Sequence, residues 1–181
     1  LTLEKMKPVL PYIGLPILLA ALMILHINSV ELFRLLQDGL LIIFGYIAAV
    51  GDIKTKRIPN GLVLAMLAGW VLTAVPQLFF NIELMAVILW DSLLGFLVSG
   101  ILFLIVYLIS RKGLGGGDIK FMAIAGLYLG FGRVLPVMLY GSVLAGVVVG
   151  VLFLLKKIGK KDAVAFAPFL FIGMLITTFF Q

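Results

Sequence analysis

The sequence predicts an all-α, polytopic transmembrane helix bundle of about seven helices, and three observations carry that expectation. The 181 residues are 64% hydrophobic and 12% charged, with a mean hydropathy of +1.28, whereas soluble domains are about half apolar and a quarter charged. Apolar stretches near the size that crosses a bilayer, about 20 residues, follow one another along nearly the whole chain. The basic residues fall in short clusters between those stretches. This pattern directs the net charge of +6 toward lipid headgroups and away from nucleic acid, because no aromatic-rich soluble surface accompanies it.

Hydropathy and helix breakers divide the chain into candidate helices at residues 8–27, 35–52, 60–80, 84–110, 118–131, 134–155 and 163–180. The first follows Lys5 and Lys7 and imitates a signal peptide. It carries prolines and no small-residue cleavage pattern, and more spans follow, so it is read as a retained span. The second ends at Asp52, and a basic hairpin leads to Pro59 and Asn60 at the start of the third; proline suits a first helical turn, where its missing N–H loses no partner. The fourth contains Asp91 beside Trp90. A glycine-rich stretch, Gly113 to Gly117, opens the fifth, which is short for a span. Small residues at four-residue spacing, Gly126 with Gly130 and Ser142 with Gly146 and Gly150, predict close helix packing. Residues 1–34 then form an N-terminal helix with a short outer loop, and residues 35–181 a six-helix core.

Twelve basic residues, among them Lys5, Lys7, Lys54, Lys56, Arg57, Lys120, Lys156 and Lys157, fall on one side if the N-terminus is cytoplasmic; only Arg34 and Arg133 fall on the other. The positive-inside rule therefore predicts a multi-pass protein of the cytoplasmic membrane with its N-terminus inside, and Asp52 and Asp118 at the cytoplasmic face.

The chain has no cysteine and a single histidine, His26. That removes thiol nucleophiles, thiolate metal sites and histidine triads, and no metal or cofactor is expected. Carboxylates remain. An ionisable side chain at membrane depth is expensive and marks function, and two at one face supply an acid and a base. The glycines before Asp118 do not form a phosphate loop, since no strand precedes them, the Gly-Lys-Ser/Thr ending is absent and Asp118 would repel phosphate. Glycine instead permits the close backbone approach that an extended polypeptide needs. Asp91 reads as structural, Asp38, Glu31 and Glu83 as interfacial, His26 likewise, Trp70 and Trp90 as packing or lipid-contact residues, and Tyr46 and Tyr128, on the two aspartate-bearing helices, as without a catalytic role. A small ion or proton-coupled transporter is the second reading of the paired aspartates. Transporters, however, place such sites near the midplane between repeats, and neither feature is visible here.

Taken together, the motifs resemble the type IV prepilin peptidases and preflagellin peptidases, which are GxGD-type intramembrane aspartic proteases. Asp52 is followed by Pro59 and Asn60, Gly113 to Lys120 reads G-x-G-x-G-D-x-K, and Ala167-Pro168-Phe169-Leu170 is similar to the family's Gly-Pro-aromatic segment, with alanine replacing glycine. Presenilin-like proteases share the GxGD element, but the loop from Asp52 to Pro59 fits the prepilin peptidases. The resemblance implies that Asp52 and Asp118 are the catalytic pair and that Gly115, Gly117, Lys120, Pro59 and Asn60 shape the site or meet the substrate. It implies a prepilin-like or preflagellin-like membrane substrate with a short basic leader, a glycine before the cut and an apolar helix after it. Long bacterial members carry cysteine pairs in a cytoplasmic domain and also methylate the new N-terminus. This chain looks like the minimal form, and methylation is not carried over.

Overall fold

A computed structural model describes residues 14–26, 32–80, 82–110, 114–157, 159 and 164–180. Lys5, Lys7, Glu31, Arg111, Lys112, Gly113, Lys160, Lys161 and the side chain of His26 lie outside the described residues. The described chain is a helical bundle without strands: α1 (Gly14–His26), α2 (Leu32–Thr55), α3 (Asn60–Phe80), α4 (Ile82–Ile109), α5 (Gly116–Leu154) and α6 (Ala167–Phe180). In a bilayer the backbone must satisfy its own hydrogen bonds, which leaves such sequences only helices or closed barrels. Four of the helices, α2 to α5, are long and apolar enough to cross a membrane, while α1 and α6 are shorter apolar helices.

The fifth and sixth helices expected from the sequence are joined in α5, with the break at Gly130 (φ 69°, ψ 176°), a backbone region that essentially only glycine occupies. The chain reverses there. Its first arm runs parallel to α3, with Lys120 beside Asn60 and Tyr128 beside Met66, and antiparallel to α4, with Met122 against Ser99 and Phe131 against Asp91. Its second arm runs against α6, with Val137 at Gly173 and Gly141 at Leu170. Because α6 starts at Asp52, the second arm travels back toward the end from which the first arm departs.

Packing follows the small residues only in part. Gly95 and Gly126 meet backbone to backbone, and a Cβ on either would overlap the other's carbonyl. Ser99 Oγ, wedged beside them, donates to the carbonyls of Gly95 (2.7 Å) and Met122 (2.9 Å). Gly130, expected to pack, is instead the break. Ser142, Gly146 and Gly150 are exposed, and no atom lies within 4 Å of where a Cβ on Gly146 or Gly150 would stand. Their spacing therefore reflects an outward face and not an internal contact. Buried side chains from α2, α5 and α6, including Leu41, Phe121, Met122, Val137, Leu170 and Met174, form the main core.

Two acidic residues outside the candidate pair hold the end of the bundle remote from Asp52. Asp38 is not interfacial: it is 3% exposed and pairs with Arg133 at 2.8 Å. Burial of the carboxylate follows from that partner, 95 residues away. Asp91 has the structural role expected of it, since its Oδ1 accepts the Phe131 N–H at 3.1 Å, a donor that the break at Gly130 leaves without a helical partner.

Candidate active site

Three chain segments converge at the other end. The first is the end of α2, where Lys56 takes a positive φ of 52° and Thr55 Oγ1 donates to the carbonyls of Gly51 (2.9 Å) and Arg57 (3.1 Å). This left-handed stop ends the helix three residues beyond Asp52, whose side chain faces inward and is 5% exposed. The second is the start of α5. Gly115 caps the helix and Asp118, its third residue, turns back so that Oδ2 accepts the Gly115 N–H at 3.1 Å, one half of a capping box. Asp118 is 7% exposed. The third is the start of α6, where the Ala167 N–H donates to Asp52 Oδ2 at 3.0 Å.

Each carboxylate thus lies against the N-terminus of a helix, where unpaired N–H groups and the helix dipole favour negative charge. The two are close enough to interact electrostatically. Asp118 Oδ1 is buried and makes no hydrogen bond among the described residues.

The other residues singled out from the sequence surround this pair. Ile58 packs on Gly117, and a Cβ there would stand 3.1 Å from Ile58 Cβ and 3.3 Å from its carbonyl oxygen; the loop after α2 lies tight against the start of α5 at this glycine. A Cβ on Gly115 would come within 2.8 Å of Asp118 Oδ2, so glycine also clears space for the carboxylate. Lys120 Nζ donates to Asn60 Oδ1 at 3.0 Å on the exposed rim. Pro59 stands just before α3, not in its first turn, and its carbonyl accepts the N–H groups of Leu62 and Val63. Neither Lys120 nor Asn60 touches the aspartates in these bonds; they tie the rims of two segments together.

One contributor, Ala167, was not singled out as a site residue. It acts through its backbone N–H, which has no side-chain signature, although Pro168 beside it signals a helix start. Among the described residues no group of three or more His, Asp or Glu side chains is arranged to hold a metal ion.

Two buried carboxyl groups within electrostatic reach of one another are the chemical groups that acid and base roles require, provided a molecule binds where both can reach it.

Comparison with known proteins agrees on the chain's kinship. The profile of the type IV leader peptidase family matches residues 39–151, a stretch that contains both Asp52 and Asp118. A prepilin leader peptidase/N-methyltransferase of Bacillus subtilis (strain 168) is 32% identical over 150 residues, covering 82% of this chain and 56% of the relative. Its counterpart from Pectobacterium carotovorum is 31% identical over 140 residues, 74% of this chain and 47% of the relative. That of Escherichia coli (strain K12) is 31% identical over 133 residues, 71% and 56%. The chain spans about half the length of these curated relatives, and no solved structure matches it. With the profile covering well over half of its residues, the chain belongs to the type IV leader peptidase family.

Proposed function

We propose that this protein is a membrane-embedded aspartic endopeptidase that removes the short basic leader from prepilin-like or preflagellin-like precursors at the cytoplasmic membrane face, with Asp52 and Asp118 as its catalytic pair. The observation that supports the reading is the burial of these two carboxylates at the same end of the bundle, each held by a backbone N–H at a helix start. The names of the relatives supply the substrate class.

In the proposed reaction the pair shares one proton. The ionised carboxylate takes a proton from water as the water oxygen attacks the scissile carbonyl, and the protonated partner supports the carbonyl oxygen and then donates to the leaving nitrogen. The C–N bond breaks, a C–O bond forms, and the pair ends with the proton count it began with. We assign the shared water to the side of Asp118 Oδ1, the oxygen without a bond of its own. Gly115 and Gly117 shape the site from within, the first by clearing space for Asp118 and the second by lying against Ile58, and Lys120 and Asn60 form the rim over which the leader enters.

The orientation rests on charge. Lys54, Lys56, Arg57, Lys120, Lys156 and Lys157 belong to the end that holds the aspartates, whereas Arg34 and Arg133 belong to the other. A precursor whose apolar helix lies in the bilayer and whose leader stays in the cytoplasm would present its cleavage bond at that end.

The test is mass spectrometry of a prepilin-like precursor incubated in proteoliposomes with the wild-type protein, Asp52→Asn and Asp118→Asn. Cleavage after the leader by the wild type and loss of at least a thousandfold in both variants, with unfolding temperatures unchanged, is the expected result. Near-normal cleavage by either folded variant would remove the pair from the mechanism. The same spectra report whether a methyl group is added to the new N-terminus.

A further inference from the structure

The donor that holds Asp52 belongs to a single peptide plane, the one joining Phe166 to Ala167. Its N–H donates to Asp52 Oδ2 at 3.0 Å, and its carbonyl accepts the N–H groups of Phe169 at 3.1 Å and Leu170 at 3.4 Å, the bonds that open α6. A peptide unit is planar, so its two ends turn together, and whatever fixes the backbone at Phe166 also aims the N–H at the carboxylate. Residues 164–166 lie outside any helix and have no helical ladder of their own to fix them.

The Phe166 ring supplies an anchor. It meets the ring of Phe103 on α4, with centroids 5.9 Å apart and planes inclined at 51°, within the separation at which aromatic pairs attract. Phe103 is 4% exposed and is a buried member of the main core, against which Phe166 packs.

Phe103 is itself held at a defined height. It ends the buried stripe of α4 that carries Ser92, Gly95 and Ser99. Gly95 meets Gly126 and Ser99 donates to the Met122 carbonyl, an antiparallel register that, one turn further along each helix, brings Phe103 level with Asp118. Because a Cβ on Gly95 or Gly126 would overlap the opposing backbone, the register cannot slide. A buried phenylalanine is ordinary core; this one stands at the height of one aspartate and touches the residue that aims the donor of the other.

We infer that Phe103 is a positioning residue for leader cleavage: through the Phe166 ring it holds the Phe166–Ala167 peptide plane, and with it the N–H that fixes Asp52, at the level of Asp118. The inference rests on the reading of Asp52 and Asp118 as the catalytic pair. Phe103 and Ala167 are both buried, out of reach of a substrate at the rim, so loss of the ring contact acts on kcat and leaves KM in place.

Cleavage kinetics in proteoliposomes, with a prepilin-like precursor and the full chain, provide the test. Phe103→Leu should lower kcat about fivefold with KM within about twofold of wild type. In an Ala167→Pro background, where the N–H is already gone, the same substitution should change kcat by less than about twofold. A merely structural role would give the same loss in both backgrounds, and that result, an unchanged kcat, or an effect confined to KM overturns the inference. Phe166→Leu, at a half-buried position, should match Phe103→Leu and decides the matter if that variant does not fold. If the wild type does not cleave, it is the peptidase reading that fails, and hydrogen exchange at the Ala167 amide, followed by NMR in micelles, decides whether Phe103 holds the donor. Exchange quickened by Phe103→Leu at Ala167 about fivefold beyond any change at Ala48, in the middle of α2, supports that hold; an equal change at both amides overturns it.

Discussion

Replacing Gly130 by alanine tests the architecture that joins the two ends of the bundle. At φ 69° and ψ 176° an L-residue is strained by about 1–3 kcal/mol. The new Cβ would also overlap Asp91 Oδ2, forcing that side chain off the Phe131 N–H and removing a bond worth about 1 kcal/mol at an exposed position. The expected loss is about 2–4 kcal/mol, a large part of the roughly 5–15 kcal/mol by which a typical domain is stable. Denaturant unfolding in micelles measures it. Asp91→Ala on its own should cost about 1 kcal/mol, by the same bond, and the double variant should be no less stable than Gly130→Ala, because the displaced bond is lost in either case. The non-additivity, about 1 kcal/mol, is within reach of a double-mutant cycle. Leader cleavage should fall as well, since the reversal at Gly130 returns the second arm of α5 to α6, whose first N–H holds Asp52. A near-neutral Gly130→Ala, or strictly additive losses, would refute both the break and its contact.

Other outcomes follow from individual bonds. Ala167→Pro deletes the N–H received by Asp52 at a first helical position that tolerates proline; a charge-assisted bond worth about 1.5–3 kcal/mol corresponds to a tenfold or greater drop in kcat, with Ala167→Gly, which keeps the N–H, as the control in a cleavage assay. Tyr128→Phe leaves the Met66 carbonyl without its donor and should lower unfolding stability by about 1–2 kcal/mol while kcat stays within twofold. Arg133→Met strands buried Asp38 and should cost about 3 kcal/mol or more, whereas adding Asp38→Leu should recover much of that loss, as read by thermal unfolding.

The features legible in the sequence are those with a local cause. Asp52 and Asp118 stand out because charge is rare in an apolar chain and because glycine and proline punctuate the helix ends beside them. Arms of α5 could be drawn as two helices from hydropathy, but the break could not be placed, because Gly126 and Gly130 share the spacing of packing glycines and differ only in what faces them. Gly126 meets Gly95, and Gly130 meets Asp91; both partners come from α4. Asp38 went unrecognised as a buried ion for the same reason, since its partner Arg133 lies on another helix. Ala167 escaped because the group that acts is a backbone N–H.

The position of the aspartate pair has a common physical origin with the position of the helix ends. A carboxylate buried among apolar side chains needs donors, and along a membrane helix the backbone N–H groups are already taken by carbonyls one turn earlier. Only the first turn of a helix has N–H groups to spare. Asp118 uses the start of its own helix through Gly115, and Asp52, at the end of α2 where only carbonyls are left over, reaches across to the start of α6. A carboxylate at a helix C-terminus is opposed by that helix's own dipole, so Asp52 depends on a second segment in a way that Asp118 does not. It follows that small displacements of α6 should disturb Asp52 first, and that the segment around Ala167 and Pro168 belongs to the site as firmly as the two acidic motifs do.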